Sequence, residues 1–186
     1  IDIVGKKTGK NSLDSEIWVD LGTGSGAIAL GLAEVLTNAT IYATDISPEA
    51  LEIAQANAKN LGLSSRISFL GGEWWQPLAH LQGQVRGMVS NPPYIPRGMI
   101  RQLQPEVSLF EPHLALDGGE DGLESIRYLV ETGQLYLKTG GIWLVEMMVG
   151  QGEAIAELLE KQGNYENIEI INDLAGLERF VLAFRR

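Results

Sequence analysis

Short apolar runs alternate along the chain with stretches in which apolar residues recur every three or four positions. Residues 17–21 form the first such run and predict a strand. Positions 27–36 place Ile28, Leu32 and Val35 at helical spacing. Residues 41–44 predict a second strand ending at Asp45. Ser47-Pro48-Glu49 then reads as a cap, a first-turn proline and a first-turn acid, opening a helix that Gly62 stops near residue 61. A third strand is expected at 67–70 and a fourth at 85–90. Residues 121–137 predict a helix, after which Gly140-Gly141 turns into a fifth strand, 142–146. A helix at 151–162 and two strands at 166–171 and 180–184 close the chain. Strands alternating with helices predict a doubly wound, mostly parallel sheet; the short connection between the final pair makes the last strand antiparallel.

The pattern is interrupted in three places, and the interruptions carry the chemistry. Asn91-Pro92-Pro93-Tyr94 follows the fourth strand directly. Two prolines cannot donate to a ladder, and Pro92 biases Asn91 away from the α region. The strand must stop there, at the edge where open α/β sheets bind ligands. The tetrapeptide also suits a plain turn. As a site it offers an amide oxygen on Asn91, a carbonyl on the rigid Pro92, and the ring of Tyr94. Together these would hold a planar group bearing an NH₂, one hydrogen to each oxygen and the ring over its face. Residues 95–120 form the second interruption, an irregular, proline-rich segment long enough to predict a functional loop.

The third interruption is Asp20-Leu21-Gly22-Thr23-Gly24-Ser25-Gly26. Three glycines let the backbone approach a ligand and leave N–H groups free at a helix start. Asp45 ends the next strand, where it can accept from both hydroxyls of a ribose; a helix-capping role is filled better by Ser47. The turn is tight and lacks a G-K-[ST] phosphate cradle, which points to an adenosine without phosphates, such as S-adenosylmethionine. Trp74 and Trp75 follow the third strand. One would lie on the adenine and the other in the core, with Trp74 taken as the ligand-facing ring. Glu73 would accept from the adenine amino group or stand as a solvated acid.

Composition narrows the class. With 45% apolar residues among 186 the chain can bury a proper core. No run is long and apolar enough to span a bilayer, and the polar first sixteen residues contain no signal-peptide apolar region. The chain holds no cysteine, which excludes disulfides and thiolate chemistry and fits a cytoplasmic location. A net charge of −10 argues against direct DNA binding, and Lys6, Lys7 and Lys10 read as a solvated cluster. His80 and His113 are expected to be structural, and no metal site is expected. Glu111, Asp117, Glu120 and Asp121 would line a substrate groove, contact the 91–94 loop, or simply cap turns.

Four segments recur together: Asp-Leu-Gly-Thr-Gly-Ser-Gly-Ala-Ile-Ala-Leu (20–30), Ala-Thr-Asp-Ile-Ser-Pro-Glu-Ala-Leu (43–51), Asn-Pro-Pro-Tyr-Ile (91–95) and Glu-Pro-His-Leu-Ala-Leu-Asp-Gly-Gly-Glu-Asp-Gly-Leu (111–123). The set resembles the HemK/PrmC family of peptide-chain release factor glutamine N5-methyltransferases. That resemblance implies the class I S-adenosylmethionine-dependent methyltransferase fold, with seven strands, and a catalytic domain over 17–186. Residues 1–16 would be a linker remnant, with the family's helical N-terminal domain absent from this sequence. It further implies cofactor contacts from Gly22, Thr23, Gly24, Ser25, Gly26, Asp45, Ile46, Glu73, Trp74 and Asn91. The glutamine would be held by Asn91, Pro92, Pro93 and Tyr94, of which Asn91, Pro92 and Tyr94 serve catalysis. The family's acid before the tryptophan is usually Asp, where this chain has Glu73. The implied enzyme is a cytoplasmic monomer whose partner is a release factor. Three other readings fit parts of the pattern. A ribosomal-protein glutamine is one acceptor and adenine N6 in nucleic acid another, although net acidity counts against the second. The third is a non-catalytic S-adenosylmethionine-binding module, which would have no use for Asn91.

Overall fold

The computed structural model describes residues 3–5, 16–102 and 113–186. Lys6, Lys7, Lys10 and Glu111, named above, lie outside them. In chain order come β1 (Ile17–Leu21), α1 (Ala27–Val35), β2 (Thr40–Asp45), α2 (Pro48–Asn60), β3 (Ile67–Gly71) and β4 (Val85–Ser90). These are followed by α3 (Glu124–Tyr136), β5 (Leu137–Glu146), α4 (Gly152–Gln162), β6 (Tyr165–Asn172) and β7 (Glu178–Arg185). The strands form one seven-stranded sheet in the order β3-β2-β1-β4-β5-β7-β6. β1 pairs in parallel with both β2 and β4, β2 pairs in parallel with β3, and β6 and β7 are antiparallel. The expected doubly wound sheet with an antiparallel last strand is what forms.

The chain divides into two compact units, Ile1–Ser90 with Leu135–Ile142 and Asn91–Gln134 with Trp143–Arg186. In the first, β1 is apolar apart from Asp20 and buried from Trp18 onward. Trp18, Val19, Leu21, Ile41 and Ala43 are fully buried, as are Leu32 of α1 and Ala54 and Ala58 of α2. Burying Leu32 or Ile41 contributes about 1.5–3 kcal/mol each. α1 ends without a glycine cap. The Arg66 guanidinium instead donates to the carbonyls of Ala33 and Leu36 at the helix C-terminus and of Ala39 just beyond it. α2 begins as its sequence predicts, with Ala50 N donating to Ser47 Oγ at 3.1 Å and Pro48 in the first turn.

The second unit packs α3 and α4 with β6, β7 and the end of β5. Trp143 and Tyr165 meet edge to face at 6.3 Å; Trp143 Nε1 donates to Leu129 O and the Tyr165 hydroxyl to Val130 O. Both bonds satisfy polar atoms on otherwise apolar, buried rings.

Two regions differ most from the sequence pattern. β5 begins at Leu137, immediately after α3, rather than after a turn at Gly140-Gly141. Gly140 adopts a left-handed backbone (φ 71°) inside the strand, and Arg86 donates to its carbonyl, so the glycine pair kinks a continuous strand. Of the expected irregular segment 95–120, residues 103–112 lie outside the described residues, and the described remainder is less irregular than expected. It contains a 3₁₀ helix at Arg97–Gln102 and one helical turn at His113–Leu116.

Candidate active site

In the first unit the glycine turn leaves β1 and enters α1 with Gly22, Gly24 and Gly26 all left-handed, at φ 72°, 55° and 84°. Side chains from three elements hold it. Asp20, fully buried at the end of β1, accepts from Thr23 Oγ1 at 2.6 Å and from Ala29 N at 3.0 Å through Oδ2. Asp45, at the end of β2, accepts from Gly24 N at 2.8 Å through Oδ2 and from Ser47 N at 2.9 Å through Oδ1. Asn57 of α2 donates to Ser25 O at 3.0 Å. A Cβ on Gly24 would meet nothing within 4 Å, so the middle of the turn faces open space. A Cβ on Gly26 would lie 3.0 Å from Ala54 Cβ, so the end of the turn is pressed onto α2.

Asp20 Oδ1 is buried with no hydrogen-bond partner among the described residues. Burial pushes the Asp20 carboxyl up to about 6, offset in part by its bonds to Thr23 and Ala29. The pattern around the turn did not single out Asp20, although it opens the motif. Asn57 had no signal in the sequence beyond lying on a predicted helix.

The two tryptophans separate clearly. Trp75 is 1% exposed and stacks on Tyr136 at 4.2 Å with an interplanar angle of 8°, so its faces serve the core. Trp74 is half-buried and has a left-handed backbone, φ 47°, uncommon for so bulky a residue. Its carbonyl accepts from Thr44 Oγ1 at 3.0 Å, and its ring lies against Gly22, where a Cβ would come within 3.3 Å. Ile46 and Glu73 are both exposed, Ile46 at 56%. The structure therefore gathers Gly22–Gly26, Asp45 and Trp74 about one turn, with Ile46 and Glu73 next to them in the chain. His80 is exposed and packs its ring edge on to Tyr42. Among the described residues no cluster of histidines and acids could hold a metal.

β4 ends at Ser90, whose hydroxyl donates to Leu21 O at 2.6 Å, and Asn91 follows in the second unit. Asn91 is exposed, Pro92 is buried, and Pro93 and Tyr94 are half-buried. The Tyr94 hydroxyl donates to Glu146 Oε1 at 3.2 Å. Burial raises Glu146 above the usual carboxylate range, against the pull of Tyr94 and Arg179. Burial, then the neighbouring Glu146 charge, raises the Tyr94 phenol, so it stays protonated and donating at neutral pH. Tyr94 O accepts from Gln151 Nε2 at 3.0 Å.

The acidic segment braces the loop beyond the tetrapeptide. Ile95 and Asp117 form a parallel bridge, with Ile95 N donating to Leu116 O and Gly118 N to Ile95 O. Asp117 accepts from Gly119 N and from Arg97 Nε, both at 2.9 Å. Asp121 caps Leu123 N and pairs with Arg127, while Glu120 is exposed. Asp117 and Asp121 thus act as turn caps, and Asp117 also ties down the residues after Tyr94. Glu146 and Gln151 were not singled out from the sequence, because nothing in a lone acid or glutamine announces a partner more than fifty residues away.

A parallel sheet with a glycine turn after β1 and an acid at the end of β2 is the arrangement of nucleoside-binding α/β domains. Residues 13–177 match the methyltransferase domain family, and the chain belongs to it. It is 57% identical over 89% of its length to a release factor glutamine methyltransferase of Synechocystis sp., and 52% identical over the same share to one of Thermosynechococcus vestitus. It covers 56% and 57% of those proteins, so the chain spans a little over half the length of these curated relatives. Among solved structures, a SAM-dependent O-methyltransferase from Thermotoga maritima shares the fold with a TM-score of 0.66. The likeness covers 99% of this chain and 63% of that one at 13% identity.

Proposed function

We propose that this chain transfers a methyl group from S-adenosylmethionine to the side-chain amide nitrogen of a glutamine in a peptide-chain release factor. The observation that carries this reading is the Asn91–Tyr94 tetrapeptide, which follows β4 with Asn91 exposed and Tyr94 fixed at both its carbonyl and its hydroxyl. The substrate class is supported by the release factor glutamine methyltransferases to which the chain is similar.

The residues of the first unit fit the cofactor. Asp45 keeps a free lone pair on each oxygen after its bonds to Gly24 and Ser47, enough to accept from two ribose hydroxyls. The open space over Gly24 admits close approach, and Trp74 offers the aromatic surface that Trp75 cannot. Glu73 and Ile46 would complete the adenosine side. When bound, the cofactor supplies an electrophilic sulfonium methyl.

An amide nitrogen is a poor nucleophile because its lone pair is delocalised into the carbonyl. With Asn91 Oδ1 and the Pro92 carbonyl each accepting one N–H, the nitrogen is turned so that its lone pair is free to attack. The same oxygens stabilise positive charge as the new N–C bond forms and the C–S bond breaks, an oxyanion hole with its sign reversed. A proton then leaves the nitrogen for water, so no strong base is required before attack. Tyr94 covers the amide face, and Pro93 keeps the loop stiff. The domain acts as a monomer on a polypeptide, not on DNA.

Paired variants test this assignment of roles. Asn91→Ala should leave S-adenosylmethionine affinity within a few-fold by calorimetry and lower the methylation rate by roughly 10²-fold. Asp45→Ala should do the reverse, with affinity falling first. Equal loss of binding and rate in Asn91→Ala would make it a cofactor or folding residue instead.

A further inference from the structure

Gln151 precedes α4 and is 6% exposed, an uncommon position for an uncharged polar side chain unless all its groups are bonded. Here they are. Nε2 donates to Tyr94 O at 3.0 Å and to Gly122 O at 3.3 Å, and Oε1 accepts from Met148 N at 3.0 Å. One amide joins three segments: the end of the Asn-Pro-Pro-Tyr loop, the turn entering α3, and the turn between β5 and α4.

The space around it is closed to alternatives. Gly122 is left-handed at φ 79°. A Cβ there would collide with Tyr94 O and lie 2.7 Å from Gln151 Nε2. The turn therefore needs glycine so that Gln151 can reach both carbonyls. A glutamate in place of Gln151 would present an acceptor to two acceptors, and a methionine would fill the volume with no donor at all.

We propose that Gln151 is a positioning residue for methyl transfer, fixing the backbone of Tyr94 and through it the acceptors Asn91 Oδ1 and Pro92 O; the kinetic part rests on the function proposed above. Upstream, the chain passes straight from β4 into the tetrapeptide, and two prolines limit its freedom. Downstream, the ladder at Ile95 continues from a carbonyl that Gln151 holds. Two oxygens must each meet one hydrogen of a planar NH₂, and a displacement of about 1 Å costs on the order of 10²-fold in rate.

Hydrogen exchange on the intact chain tests the clamp without reference to any acceptor. Gln151→Met should lower amide protection at Ile95 and Gly118 by at least tenfold. Gly22 and Thr23, whose amides donate to Thr44 O, should keep theirs. Undiminished protection at Ile95 and Gly118 would overturn the clamp, whatever the enzyme methylates. In kinetics with release factor, Gln151→Met and Gly122→Ala should lower kcat by roughly 10- to 100-fold, with S-adenosylmethionine affinity within twofold. Gln151→Glu should regain activity relative to wild type as pH is lowered toward 5, because the protonated acid can donate again to one carbonyl. A kcat within twofold of wild type in Gln151→Met, with wild type active, would remove the positioning role and leave the proposed function standing. An inactive wild type whose Gln151→Met variant still loses protection at Ile95 would remove the proposed function and leave the clamp standing.

Discussion

Asp20 lies fully buried beneath the glycine turn with one oxygen bonded twice and the other unpartnered, an expensive way to keep a negative charge. Its carboxyl is raised to about 6 in the folded chain from 3.8, so the folded state binds the proton more tightly than the unfolded one. The stability this gives is present in full below the unfolded value and is lost as pH rises through 6. Asp20→Asn, which cannot ionise, should therefore gain on wild type by about 2 kcal/mol between pH 4 and pH 7 in urea unfolding. A constant difference across that range would show that Asp20 does not titrate there. The acid was readable as part of a glycine motif, but its burial was not, since burial depends on what α1 and β1 pack against. The same holds for Trp74 and Trp75. Adjacent identical residues carry no label, and only the stack on Tyr136 shows which of them belongs to the core.

At the scale of elements, the local rules read well. Ser47, Pro48 and Gly62 bound α2 because each acts through its own backbone geometry. The sequence misleads at Gly140, where a glycine pair resembles a turn and instead kinks β5, held by Arg86 of another strand. Fit between elements also decides what the glycine turn tolerates. Gly24→Ala should cost only the left-handed backbone penalty, about 1–2 kcal/mol, while sharply weakening cofactor binding, because it fills open space. Gly26→Ala carries the same penalty and also drives a methyl group into Ala54, so it should lose at least about 1 kcal/mol more. Urea unfolding and calorimetry on the two variants separate packing from binding. Equal unfolding costs, or undiminished affinity in Gly24→Ala, would break the distinction.

At the scale of the whole chain, the order of strands and helices was legible because period and punctuation alone specify a doubly wound sheet. The brace around the tetrapeptide was not. Glu146, Gln151, Asp117 and Gly122 reach it from segments far along the chain, and only folding brings them together. Under the proposed function, acceptor choice is set by the space around the tetrapeptide. A glutamine side chain is slim, and small neighbours such as the two glycines of a Gly-Gly-Gln loop let its backbone come close. A flipped adenine needs a wider slot and a positive track for its phosphates, and this chain carries a net charge of −10. The most direct test is transfer of labelled methyl from S-adenosylmethionine, mapped by mass spectrometry, with the Synechocystis relative assayed alongside as a control. Label on the release factor glutamine, formed roughly 10²-fold more slowly by Asn91→Ala and absent from DNA oligonucleotides, is the predicted result. Label in adenine, or an unmodified release factor where the control modifies it, would contradict the account.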